Sequence, residues 1–106
     1  MRLCYTGKAR SDVECAFAWY EKQRRGLGSD FLTCIEATLM NVQAYPEMHE
    51  HIYADFRRAS IRRFPFSVFY TIEKETIIVH AVFDNRQDPE KIERRIVDNE
   101  NAPNKT

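Results

Sequence analysis

The residues of this chain best suited to chemistry lie between Phe56 and Tyr70. Arg57, Arg58, Arg62 and Arg63 stand beside Phe64, Phe66, Phe69 and Tyr70, with no carboxylate between them. Guanidinium groups stay protonated and only donate, so their chemistry is the holding of anions. Apolar strand-forming sequence beside dense positive charge calls for one face packed on a core and another turned to a polyanion or an acidic partner. The plainer alternative is a sheet whose arginines are merely solvated, because basic patches have weak specificity.

Other reactive side chains are more scattered. His80 lies within a strand-like run, where it is either a general base on an open face or a partly buried strand histidine. His49 and His51 flank Glu50 in a loop-like stretch, and three such groups are a weak signal for a metal, so no metal or cofactor is expected. Tyr45 and Tyr53 border the same stretch and could stack on bases or pack under it. Cys4, Cys15 and Cys34 are odd in number and lack CxxC spacing. That spacing argues against a disulfide framework or zinc site and suits buried thiols in a reducing compartment.

Composition sets the frame. A chain of 106 residues with 43% hydrophobic and 30% charged residues is one ordinary globular domain. It shows neither a signal-peptide pattern nor an apolar run long enough to span a bilayer, so a cytoplasmic protein without membrane contact is expected. The formal net charge of zero conceals an uneven distribution. Residues 1–55 carry six Lys/Arg against eight Asp/Glu, residues 56–95 carry nine against six, and the last eleven carry one against two. Steering depends on local charge, so a neutral total does not exclude a polyanion-binding face.

The elements that must position these groups follow from periodicity. Arg2 to Thr6 alternates as a strand. Ser11-Asp12-Val13-Glu14 fits a capping box, and Val13, Ala16, Phe17 and Tyr20 then fall on one helical face. Gly26 and Gly28 interrupt the pattern, with a new start at Gly28 to Asp30. Phe31, Leu32, Ile35, Leu39 and Val42 form a second apolar stripe that ends before Pro46, giving an antiparallel helical hairpin. Pro46 to Asp55 has no clear period and is expected to be a loop. Strand-like runs follow at Phe56–Arg62, Phe66–Glu73 and Thr76–Phe83, with Pro65 marking a turn or bulge. Asp88-Pro89 precedes a short helical segment from Glu90 to Ile96. The order predicts an α+β fold, β-α-α-β-β-β, with the hairpin on one face of a small, mainly antiparallel, twisted sheet. Alternation places Ala59 and Ile61 toward the helices and Arg58, Ser60 and Arg62 on the open side.

The ordered set of segments resembles the RelE/ParE toxin superfamily. Ala16-Phe17-Ala18-Trp19-Tyr20-Glu21-Lys22-Gln23, Gly26-Leu27-Gly28, Phe31-Leu32 and Tyr45-Pro46-Glu47 are similar to its helical hairpin. Arg57-Arg58 and Arg62-Arg63-Phe64-Pro65-Phe66-Ser67-Val68-Phe69-Tyr70 look like its central strands. Ile77-Ile78-Val79-His80-Ala81-Val82-Phe83 and Arg86-Gln87-Asp88-Pro89 resemble its closing strand and terminal motif. The resemblance spans about residues 2–92, so a toxin domain is expected over 1–96; the residues after it read as a flexible C-terminal tail over 97–106.

Such a resemblance implies the toxin of a type II toxin–antitoxin, plasmid-stabilisation module. It would be held inactive by a cognate antitoxin encoded by an adjacent gene, and would arrest growth when freed. One branch of the superfamily poisons DNA gyrase and the other cleaves mRNA on the ribosome; the shared layout does not choose between them. Metal-free RNA cleavage needs a base, cations at the scissile phosphate, and an acid. Arg58, Arg62 and Arg86 match the ribonuclease branch's cationic positions. Ser67 stands where that branch often has an arginine, and no tyrosine or histidine follows Arg86. The phosphate-holding half is therefore present without an evident acid–base pair, which favours the ParE-like, gyrase-poisoning reading. The alternatives are a RelE-like endonuclease and an inactive member whose arginines only bind antitoxin. Arg57, Arg58, Arg62, Arg63 and Arg86 are the candidate contacts to target or antitoxin. Trp19, one residue off the apolar stripe, is a candidate antitoxin anchor.

Overall fold

The computed structural model describes residues 1–100. Strand β1 (Arg2–Tyr5) leads into helix α1 (Gly7–Gln23). The helix begins one turn before the expected cap at Ser11, because Thr6 takes that role: it is extended, and its hydroxyl accepts the Ala9 N–H at 3.1 Å. Asp12, freed from capping, turns its carboxylate to the sheet and accepts the Val82 N–H at 3.0 Å.

The hairpin turn depends on two glycines. Gly26 caps helix α2 (Leu27–Ala44) at φ 89°, a conformation open to glycine at little cost. Glu21 accepts the N–H groups of Gly26 and Gly28, each at 3.0 Å. A Cβ on Gly28 would lie 2.8 Å from the Phe17 ring, so the two helices close on a missing side chain.

Beyond α2, the stretch expected to be a loop contains a strand, β2 (Glu50–Tyr53). Its sequence carries no alternation; pairing with its neighbour makes it a strand, through Glu50 opposite Arg58 and His51 opposite Arg57. Strands β3 (Phe56–Ser60), β4 (Phe66–Glu73) and β5 (Thr76–Asp84) follow, then helix α3 (Pro89–Glu100). The helix continues past the expected end at Ile96 to Glu100; residues 101–106 of the expected tail lie outside the described residues.

The sheet has the order β1-β5-β4-β3-β2, with β1 parallel to β5 and every other pair antiparallel. Strand β4 is central and buried on both sides, which explains its near-continuous apolar run. One face carries the main core: Phe31, Ile35, Leu39 and Val42 of α2 pack with Val68, Tyr70, Ile77 and Val79. Fully burying side chains of this size contributes about 1.5–3 kcal/mol each.

The other face is not left open. Phe56, Phe69 and Ala81 form a second cluster there, with Ile52, Phe83 and Ile92 of α3 packed against it. A bulge makes this cluster. Phe69 and Tyr70 are consecutive on β4 but face Ala81 and Val79 on β5, so His80 is the extra residue. Strict alternation would keep Ala81 on the side of Ile77 and Val79. The bulge sends Ala81 and Phe83 to the second face and returns Val82 to the main core.

Candidate functional site

The five candidate arginines do not form one surface. Arg57 shares the helix-facing side of β3 with Ala59, and its Nη1 donates to the carbonyls of Glu47 and His49 at 3.1 and 2.9 Å. It therefore ties the segment after α2 to the sheet, and its guanidinium is committed to backbone. Arg58 lies on the opposite side, half-buried, paired with Glu50 at 2.8 Å. It lines a cleft of ≈ 370 Å³ with Tyr53, Phe69, Gln87, Ile92 and Glu93. The cleft opens between the second face and α3.

Arg62 and Arg63 were expected at the end of a strand and in the turn after it. The strand stops at Ser60, and both residues are exposed in the turn before β4. Arg63 takes φ 72°, and its guanidinium carbon lies 5.9 Å from the Phe64 ring centroid. The turn is held by Ile61 donating to the Phe66 carbonyl and by Phe64 burying beneath it. Arg86 is exposed beyond β5, and its Nε donates to Asp84 at 2.9 Å. That bond holds the Asp84 carboxyl below the ordinary range.

Proton-transfer groups are placed elsewhere. His80 lies on the second face, 7% exposed, with its Nε2 3.0 Å from the Thr71 hydroxyl and its ring 4.8 Å from that of Phe56. It is enclosed under the second cluster rather than presented to solvent. Ser67 is fully buried and donates to Asn85 at 2.6 Å. The three groups of the His-Glu-His stretch diverge. Glu50 pairs with Arg58, His51 is exposed, and His49 turns inward with its ring 6.2 Å from that of Tyr70. Burial, with the Arg57 charge second, holds the His49 imidazole below its ordinary pKa. Tyr45 and Tyr53 are both exposed, neither packed under the loop. Cys4 and Cys15 are exposed, against the expectation of burial: Cys4 alternates with the core-facing Leu3 and Tyr5, and Cys15 lines the open groove between α1 and the end of β5.

Trp19 is 53% exposed and borders a second groove, of ≈ 290 Å³, with Phe66, Phe83 and Asp84. Tyr20, beside it, packs inward against Phe31, Phe64 and Phe66. Sequence reasoning missed the ion pair of Arg95 with Asp12, at 2.8 Å, which fastens α3 to α1. The Arg95 guanidinium also covers the Phe83 ring at 4.9 Å. No local signal connects two charges so far apart in the chain.

A helical hairpin on one face of a five-stranded mixed sheet, with exposed arginines in its turns, defines a small α+β protein. Residues 3–89 match the family described as the ParE toxin of the type II toxin–antitoxin system parDE. The chain belongs to that ParE toxin family. Among solved structures it is similar to the chromosomal ParDE toxin–antitoxin system from P. aeruginosa. That match has 17% identity and a TM-score of 0.71, covering 79% of this chain and 95% of that one. No curated protein matches the sequence.

Proposed function

We infer that this chain arrests growth in the cytoplasm by binding DNA gyrase, without catalytic chemistry of its own, and that a cognate antitoxin encoded beside it neutralises it. The observation that carries this reading is the separation of anion-holding from proton-transfer groups. Arg62, Arg63 and Arg86 are exposed, whereas His80 is buried against Thr71 and Phe56 and Ser67 is spent on Asn85. Exposed cations set apart from the enclosed His80 suit binding rather than RNA cleavage.

The endonuclease reading has one observation in its favour. Arg58 shares its cleft with Tyr53 and Glu93, a phenol and a carboxylate. Purified toxin should reduce gyrase supercoiling and leave mRNA intact in a translating extract. Unaffected supercoiling together with cleaved mRNA reverses the assignment, and Glu93→Gln should then abolish the cleavage. Growth arrest that survives Arg58→Ala combined with Arg62→Ala removes both arginines from the effector surface.

A further inference from the structure

The fold collects at one end of the molecule cations that lie far apart in sequence. The hairpin turn brings Lys22, Arg24 and Arg25; the turn before β4 brings Arg62 and Arg63; the turn after β5 brings Arg86, and all six are exposed. Three contacts bring these turns together. Phe64, from the second turn, meets Tyr20 and Phe31 of the hairpin with centroids 4.9 and 5.2 Å apart. Asn85, from the third turn, donates to the carbonyl of Pro65 in the second at 2.6 Å.

The carboxylates at this end are already engaged. Glu21 accepts the Gly26 and Gly28 N–H groups, Asp30 lies 3.8 Å from Arg24, and Asp84 holds Arg86. Lys22, Arg25, Arg62 and Arg63 are left without a carboxylate partner among the described ion pairs. Phe31 and Phe64 lie buried beneath the charges rather than between them, while Trp19, one helical turn before Lys22, is exposed at the margin beside Asp84. Cations on turns fastened to one another read a phosphate backbone, and a ring at the margin of the patch is no platform for the stacking of successive unpaired bases.

We propose that this cationic end is a docking surface for the phosphate backbone of duplex DNA, engaged through Lys22, Arg25, Arg62 and Arg63. The inference deepens the gyrase reading, on which its biological role rests, by giving the toxin a contact with the DNA that gyrase holds. Each phosphate neutralised releases counterions, so binding must weaken steeply with salt.

The test is fluorescence anisotropy of the full chain with a labelled random-sequence duplex, titrated from 50 to 200 mM salt. Four phosphate contacts predict an affinity loss of about 100-fold across that range. Lys22→Gln, Arg25→Gln, Arg62→Gln and Arg63→Gln combined should flatten the log–log salt slope by about 3 to 4. The three arginines changed to lysine, with Lys22 retained, should bind nearly as the wild type does. Circular dichroism of both variants verifies the fold. Absence of duplex binding at 50 mM salt, an unchanged slope in the glutamine variant, or tighter binding of single-stranded RNA overturns the proposal. Gyrase supercoiling is assayed in parallel. Inhibited supercoiling without duplex binding overturns the DNA contact and leaves the gyrase reading standing; duplex binding with normal supercoiling does the reverse.

Discussion

Arg57 and Arg58 are adjacent in sequence and point to opposite sides of β3, so their removal should have unequal consequences. Arg57 donates to two backbone carbonyls that the turn after α2 leaves without strand partners. Arg57→Ala should cost about 1–3 kcal/mol in urea unfolding, because hydrogen bonds from a charged donor are the stronger kind. Arg58 makes an exposed pair with Glu50, and Arg58→Ala should cost less than about 1 kcal/mol. Sequence alternation assigned Arg58 to the outer side; it could not show that Arg57 reaches backward to carbonyls of a segment with no period. His49 supplies a pH dependence in the same neighbourhood. Its imidazole is held below its ordinary pKa mainly by burial, so the unfolded chain binds its proton more readily. The resulting stability is fully present above pH 6.5, the ordinary value, and is lost as pH falls below it. Urea midpoints from pH 7.5 down to 5 should decline, and His49→Gln should decline less over that interval.

The elements differ in how openly the sequence declares them. Strand β4 was legible residue for residue, because a segment buried on both faces is a near-continuous apolar run. The second apolar stripe gave α2 for the same kind of reason: Phe31, Ile35, Leu39 and Val42 all reach the core. Features set by a partner distant in sequence were not legible. Thr6 rather than Ser11 caps α1, β2 exists through pairing, and the bulge at His80 moves Phe83 to the second face. Asp12 serves two of these features at once, accepting the Val82 N–H at the bulge and the Arg95 guanidinium from α3. Asp12→Asn keeps an acceptor for the backbone while losing the charge, and should cost about 1–2 kcal/mol. Asp12→Ala loses both and leaves Arg95 half-enclosed without its partner, so about 3–5 kcal/mol is expected. In both variants the amides of α3 should exchange faster with solvent than those of α1. The Gly26 and Gly28 turn was visible as an interruption, but its close approach was not. Gly28→Ala should cost about 1–3 kcal/mol, as overpacking does, unless the Phe17 ring, 2.8 Å from the new Cβ, can shift.

For the whole molecule, the charge distribution matters more than its sum. The chain is formally neutral, yet topology sends Lys22, Arg24, Arg25, Arg62, Arg63 and Arg86 to one end. At the other end, the turns around Asp55 and Glu73 to Glu75 gather carboxylates with Lys74 and Arg2. The halves of the sequence hinted at this asymmetry, but only the fold joins the hairpin turn to the turns before β4 and after β5. Like charges held together repel, and that repulsion opposes folding unless a counter-charge relieves it. At 0.01 M salt the Debye length is about 30 Å, comparable with the molecule; at 0.15 M it is about 8 Å, shorter than the distance between its two ends. The cationic end should therefore be least comfortable at low salt. Changing Lys22, Arg25, Arg62 and Arg63 together to glutamine should raise the melting temperature relative to wild type in 10 mM salt, and the gap should close by 150 mM. A polyanion bound to the native state should raise the wild-type melting temperature by mass action and leave the variant's unmoved. A variant that melts below the wild type at low salt would mean that these side chains are held by attractive contacts, and that the end of the molecule is not the field of unrelieved charge described above.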